Sequence, residues 1–260
     1  EFSKVVLKDE IGDLGEFAAN FILSKGGKNL MREMIRIEKS TNIFSTKYLS
    51  KEQTLKLQSK IGIAMDDFIA IKYNRVKPQV LKEPLKNVIF TSKNALEALL
   101  YNYSSEDLDF KNIYCVGKRT KRLIKTKLGI VAHAENSAEK LANYLSDNLK
   151  EKEVTFFCGN KRREELPEIL SKNNIIVNEV ETYQTVLTSK KIDSKYSGIL
   201  FYSPSGLESF LKNNTTSNRI AFCIGETTAT EARIHFKTVV VSKSATVDGV
   251  IDSVNEYFNK

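Results

Sequence analysis

Short apolar or β-branched runs recur along the chain, and the intervals between them carry apolar residues at three- and four-residue spacing. The runs cover 42–46, 68–73, 88–91, 113–116, 154–158, 175–183, 199–202, 220–224 and 239–241. Each is of strand length and bounded by polar or turn-forming residues. The clearest helical pattern is the last, where Val247, Val250, Ile251, Val254, Tyr257 and Phe258 share one face after Thr246, a residue suited to an N-cap. Strand and helix alternate throughout. That alternation predicts an α/β fold with parallel sheets covered by helices.

An internal repeat sets the expected architecture. Phe90, Ser92, Leu96, Glu97 and Leu100 recur as Phe201, Ser203, Leu207, Glu208 and Leu211 at one constant offset. Downstream, Val116-Gly117-x-x-Thr120 answers Ile224-Gly225-x-x-Thr228, and Ser137-Ala138 answers Ser244-Ala245. Two related α/β domains follow from two copies of one unit. The second copy ends at the C-terminus without enough strands for a sheet, so the strand, helix and strand within 42–73 are expected to complete it. One domain is then discontinuous, built from 40–72 plus 188–260, and the other is 73–187, preceded by an extension at 1–39. Two linkers would cross between the domains and leave a cleft able to open and close.

Charge narrows the expectations only after it is located. Lys and Arg total 40 against 32 Asp and Glu, a formal charge of +8. Residues 1–39 hold seven basic and seven acidic residues, so the whole excess lies in 40–260, where the signs are interspersed. An anionic partner is expected, while the absence of any run of five like charges argues against a basic nucleic-acid tail. Cys115, Cys158 and Cys223 lie far apart, as do His133 and His235, so no metal site is expected. Cys115 and Cys223 sit in apolar runs and read as buried thiols, and the odd count fits a reducing compartment. No stretch has the length of a membrane span, and 17–23 is too short for a signal peptide core. A cytoplasmic location is expected.

Candidate chemistry sits in the turns. In parallel α/β sheets ligands bind beyond the carboxyl ends of the strands, where helix N-termini present unpaired N–H groups. Five such turns are rich in Gly, Ser and Thr: Thr91-Ser92, Gly117 to Thr120, Gly159-Asn160, Ser203 to Ser205, and Gly225 to Thr227-Thr228. Glycine admits a close ligand and hydroxyls donate to an anion. Any one of these hydroxyls is better explained as a helix cap, but five together suggest an extended anion site. No phosphate-loop, dinucleotide or nucleophile-elbow motif occurs. The remaining inventory of tyrosine, hydroxyls, amides and cations suits orienting an anionic substrate and easing loss of a poor leaving group.

The ordered set Phe90-Thr-Ser92, Val116-Gly117-x-x-Thr120, Phe157-Cys-Gly159-Asn-x-x-Arg163-x-x-Leu166-Pro167, Val180-x-x-Tyr183-x-Thr185-Val186, Phe201-x-Ser203-Pro-Ser205-Gly206-Leu207 and Ile224-Gly225-x-Thr227-Thr228-Ala229 resembles the uroporphyrinogen-III synthase family over about 40–260. The resemblance implies two similar α/β domains joined by two strands, and a cofactor-free lyase. Its substrate would be hydroxymethylbilane, a linear tetrapyrrole with eight carboxylates. The enzyme would expel the hydroxyl group as water, close the macrocycle and invert ring D through a spiro intermediate, giving uroporphyrinogen III. In water the same molecule closes without inversion, to the type I isomer.

By the same resemblance Tyr183 corresponds to the tyrosine that assists departure of the hydroxyl; an interdomain packing role is the other reading. Thr91, Ser92, Thr120, Ser203 and Thr228 match family hydroxyl positions. Lys161, Arg162 and Arg163 would add cationic grip unless they form a solvated face. Residues 14–30 faintly resemble the carboxy-terminal end of hydroxymethylbilane synthase, the enzyme that makes this substrate, which suggests a partner in a fusion or a transient complex; an unrelated pair of amphipathic helices fits 14–30 as well. A non-catalytic module that binds an anion or tetrapyrrole also remains open at this point.

Overall fold

The computed structural model describes residue 20 and residues 41–259. The expected N-terminal extension and its resemblance at 14–30 lie outside the described residues. The described chain divides into two compact units, 41–68 with 189–259, and 69–188.

The first unit holds a five-stranded parallel sheet in the order β11-β10-β9-β1-β2. Its strands are β1 (Thr41–Ser45), β2 (Ile61–Met65), β9 (Gly198–Phe201), β10 (Ile220–Cys223) and β11 (Thr238–Val241). Its helices are α1 (Lys51–Leu55), α6 (Pro204–Leu211), α7 (Glu226–His235) and α8 (Val247–Phe258). The apolar runs are unbroken because both sheet faces are covered. Phe44, Phe201 and Cys223 pack on one face with Phe210 of α6 and Ala229 and Ala232 of α7. Their chain neighbours Ile43, Leu200 and Phe222 turn to the other face, against Val250 and Val254 of α8.

The second unit holds a six-stranded sheet in the order β3-β8-β7-β4-β5-β6. Its strands are β3 (Ile69–Tyr73), β4 (Leu85–Phe90), β5 (Phe110–Val116), β6 (His133–Glu135), β7 (Glu153–Gly159) and β8 (Ile176–Leu187). The helices α2 (Lys93–Asn102), α3 (Lys118–Leu128), α4 (Ala138–Asn148) and α5 (Glu165–Lys172) cover it. Ile89, Phe156 and Cys158 face Leu141 and Leu145 of α4 and Leu166 and Leu170 of α5. Val88, Phe90 and Phe157 face Leu96 and Leu99 of α2 and Ile124 of α3. The two repeat copies are thus β4-α2-β5-α3-β6-α4 and β9-α6-β10-α7-β11-α8.

Three departures from the sequence reading have physical causes. The strand at 68–73 was expected in the discontinuous domain, yet β3 pairs antiparallel with 183–187 of β8 and belongs to the second sheet. Strand composition does not name its partner. Within that domain β1 pairs instead with β2, a strand the sequence reading did not pick out, in register from Thr41↔Ile61 to Ser45↔Met65. That segment reads as part of a helical connection, whereas the helix there is the single turn and a half of α1, held by a reciprocal Ser50–Gln53 capping box. Finally, β6 is only His-Ala-Glu and carries no apolar run to reveal it.

Candidate functional site

In the second unit the carboxyl ends of β4, β5 and β7 carry the turns singled out in the sequence. At the end of β4, Thr91 and Ser92 are half-buried. The Ser92 hydroxyl accepts from the Asn94 N–H at 3.2 Å, so it caps α2. At the end of β5, Gly117 has φ of +85°, which an L side chain adopts only under strain, and no side chain caps α3. Thr120, three residues into α3, is 5% exposed and makes no side-chain hydrogen bond to a described residue.

At the end of β7, Gly159 does not begin a helix as expected, because α5 starts only at Glu165. Its absent side chain has another use. A Cβ on Gly159 would lie 2.4 Å from Cζ of Tyr183, so the phenol ring occupies the space that any other residue would fill. Asn160 ties the two strands further: its N–H donates to the Tyr183 carbonyl at 3.2 Å, and its Oδ1 accepts from the Thr185 N–H at 2.8 Å. Tyr183 is half-buried on the cluster containing Phe90 and Phe157. Burial raises its pKa above the ordinary phenol value, and a hydrogen bond with the Ser92 side chain pulls it partly back. The phenol is therefore fully protonated at neutral pH and remains a proton donor.

The cationic run after Gly159 is divided. Arg162 is held by Glu179 and by Glu164, so two carboxylates already neutralise its charge. Arg163 is exposed to solvent, and Lys161 is already engaged within the protein.

The first unit repeats the pattern. Ser203 accepts from the Gly206 N–H at 3.1 Å and caps α6, and Ser205 is half-buried in the same first turn. Gly225 opens α7 without a side-chain cap, as Gly117 does for α3, but with extended backbone. Thr227 is exposed there, and Thr228 is 2% exposed. The cap reading thus holds for Ser92 and Ser203. The two Gly-x-x-Thr turns instead leave the first-turn N–H groups of their helices without a side-chain acceptor, as an anion site requires.

One group escaped the sequence reading. Tyr202, at the end of β9, donates to Ser45 Oγ at 3.1 Å, while Ser45 donates to the Lys47 carbonyl at 2.5 Å. Burial pushes the Tyr202 phenol up to about 12. Thr46 beside it donates to the Leu200 carbonyl at 2.7 Å. These hydroxyls lace together the carboxyl ends of β1 and β9. The repeat could have found Tyr202, since it occupies the position of Thr91 in the other copy.

Cys115, Cys158 and Cys223 are buried and free, and burial raises their pKa values to about 11, 11 and 12, so they are poor nucleophiles. Among the described residues no group of His, Cys, Asp and Glu could hold a metal ion, and no helix is long and apolar enough to cross a membrane.

Comparison with known proteins identifies the family and the fold. The family model described as uroporphyrinogen-III synthase HemD matches residues 68–252. The chain is 25% identical over 189 residues to the porphyrin biosynthesis protein HemD of Ruminiclostridium josui, a match covering 65% of this chain and 37% of that protein. The chain therefore spans well under half the length of that relative. Among solved structures, the uroporphyrinogen-III synthetase of Helicobacter pylori superposes with a TM-score of 0.61 at 16% identity, covering 84% of this chain and 99% of that one. A mutant uroporphyrinogen III synthase of Thermus thermophilus gives 0.60 at 12% identity over the same shares. These superpositions establish a shared fold, and the family match extends over more than half of the sequence, from Phe68 at the end of the first segment to Asp252 in the last helix. The chain belongs to the uroporphyrinogen-III synthase family.

Proposed function

We propose that the chain is a uroporphyrinogen-III synthase, a cofactor-independent lyase that cyclises hydroxymethylbilane with loss of water and inversion of ring D. The observation that carries this reading is the family match across 68–252. The local geometry supports particular roles. Tyr183 supplies a protonated phenol fixed over Gly159 and beside Ser92. It delivers its proton to the departing hydroxyl oxygen as the carbon–oxygen bond breaks, and water leaves; the ring carbon that attacks later loses a proton, which restores the phenol. Gly117 with Thr120, and Gly225 with Thr227 and Thr228, hold substrate carboxylates at helix amino ends that no side chain caps, and Thr91 and Ser205 follow the neighbouring strands β4 and β9. The catalytic demand is geometric, since the uncatalysed closure already occurs with the wrong connectivity.

The test supplies hydroxymethylbilane, generated in place by a deaminase, and separates the uroporphyrin isomers after oxidation. Type III product is expected. Type I alone at high enzyme concentration rejects the reading, and tight binding without isomer conversion would mark a tetrapyrrole-binding module instead.

A further inference from the structure

Helix α3 carries a charge pattern that the fold does not explain. Six of its eleven residues are Lys or Arg and none is acidic. Lys118, Lys121, Arg122 and Lys125 recur at i, i+3, i+4 and i+7, so they share one exposed face about 10 Å long, opposite the buried Thr120 and Ile124. Some exposed cations elsewhere are matched to carboxylates, as in Lys56–Asp248, Lys86–Glu151, Lys93–Glu97 and Arg233–Glu226. None of the α3 cations has such a partner among the described residues.

The helix dipole accounts for Lys125 and Lys127 in the last turn, where cations are favoured, but it disfavours Lys118 and Arg119 in the first. Like charges at Lys118–Arg122 and Lys121–Lys125 add repulsion at i, i+4. This arrangement costs stability in the free protein, and a polyanion lying along the helix would relieve it. The same helix begins at Gly117 without a side-chain cap and buries Thr120 in its first turn.

We propose that the cationic face of α3, formed by Lys118, Lys121, Arg122 and Lys125, captures carboxylates of the incoming polycarboxylate and steers it onto the open amino end of the same helix. The inference rests on the synthase reading, because a linear tetrapyrrole has more carboxylates than the Gly-x-x-Thr turns can hold. Capture by spaced surface cations is a long-range attraction, so it acts on association and fades as salt screens it.

The experiment uses the whole chain and lets enzyme compete with spontaneous closure at limiting enzyme concentration. The ratio of type III to type I product then reads kcat/KM directly. The face variant is Lys121→Gln/Arg122→Gln/Lys125→Gln. A control of equal charge, Lys77→Gln/Lys82→Gln/Lys150→Gln, alters exposed cations elsewhere in the same unit. At low ionic strength the face variant should lower the ratio about tenfold, shrinking below about twofold at 0.5 M salt, while the control stays within about twofold throughout. If the triple variant does not fold, Arg122→Gln alone carries the test, with about a two- to threefold effect at low salt. A face variant with the wild-type ratio and salt dependence, in a preparation whose wild type makes type III, overturns the steering and leaves the synthase reading standing. A wild type that makes only type I at excess enzyme overturns the synthase reading itself.

Discussion

Tyr183 owes its position to a residue without a side chain. Its ring lies where a Cβ on Gly159 would stand, and the backbone of Asn160 holds its carbonyl. Gly159→Ala should therefore displace the ring or the strand, lowering stability by about 1–3 kcal/mol as an overpacked site does. Urea unfolding measures this, and turnover should fall along with stability. Tyr183→Phe keeps the packing and removes only the proton donor, so kcat should drop about 100-fold with little change in KM, because a leaving-group contact matters mostly in the transition state. Unchanged kcat would remove Tyr183 from the chemistry. The pH dependence follows from the direction of its shift: in the proposed role Tyr183 acts as the protonated phenol, and its folded pKa lies above the ordinary value near 10. This group should therefore impose no loss of rate between about pH 6 and 9, and a loss only above about pH 10. Tyr183 was legible from the family motif, but its tie to Gly159 was not, because the two are 24 positions apart and meet only through β7–β8 pairing.

The two kinds of helix start do different work. Ser92 and Ser203 satisfy their own helices, and the Gly117 and Gly225 turns leave their helices without a side-chain cap. Ser203→Ala should cost about 1 kcal/mol of stability, the usual price of a lost N-cap, read as a shift in the urea midpoint. The ratio of isomers formed should barely change; a large fall in that ratio at unchanged stability would give Ser203 a direct contact with substrate. The repeat made the paired positions legible before any coordinates. It did not separate caps from open termini, since a hydroxyl at the end of a strand reads the same in both cases until its hydrogen-bond partner is known. For Arg162 the structure supplies a partner the sequence did not name: Glu179, distant in sequence, pairs with that guanidinium.

At the scale of the molecule, each unit has its own sheet and its own pair of apolar clusters. The second unit is one continuous segment, 69–188, while the first is assembled from 41–68 and 189–259. Residues 69–188 expressed alone should therefore fold cooperatively, with a sigmoidal urea transition and native-like far-UV circular dichroism; a broad, non-cooperative loss of signal would count against that independence. By itself the sequence determined that the protein is α/β, that it is built from two copies of one unit, and that Gly, Ser and Thr gather in the turns after its strands. Apolar periodicity and internal similarity are local properties, and a chain carries them whether folded or not. Only the tertiary structure decided that β3 joins the second sheet, that β2 lies beside β1, and which hydroxyls and cations are already engaged. Strand partnership and hydrogen bonding are relations between residues far apart in the chain, so they exist only once the sheets have formed.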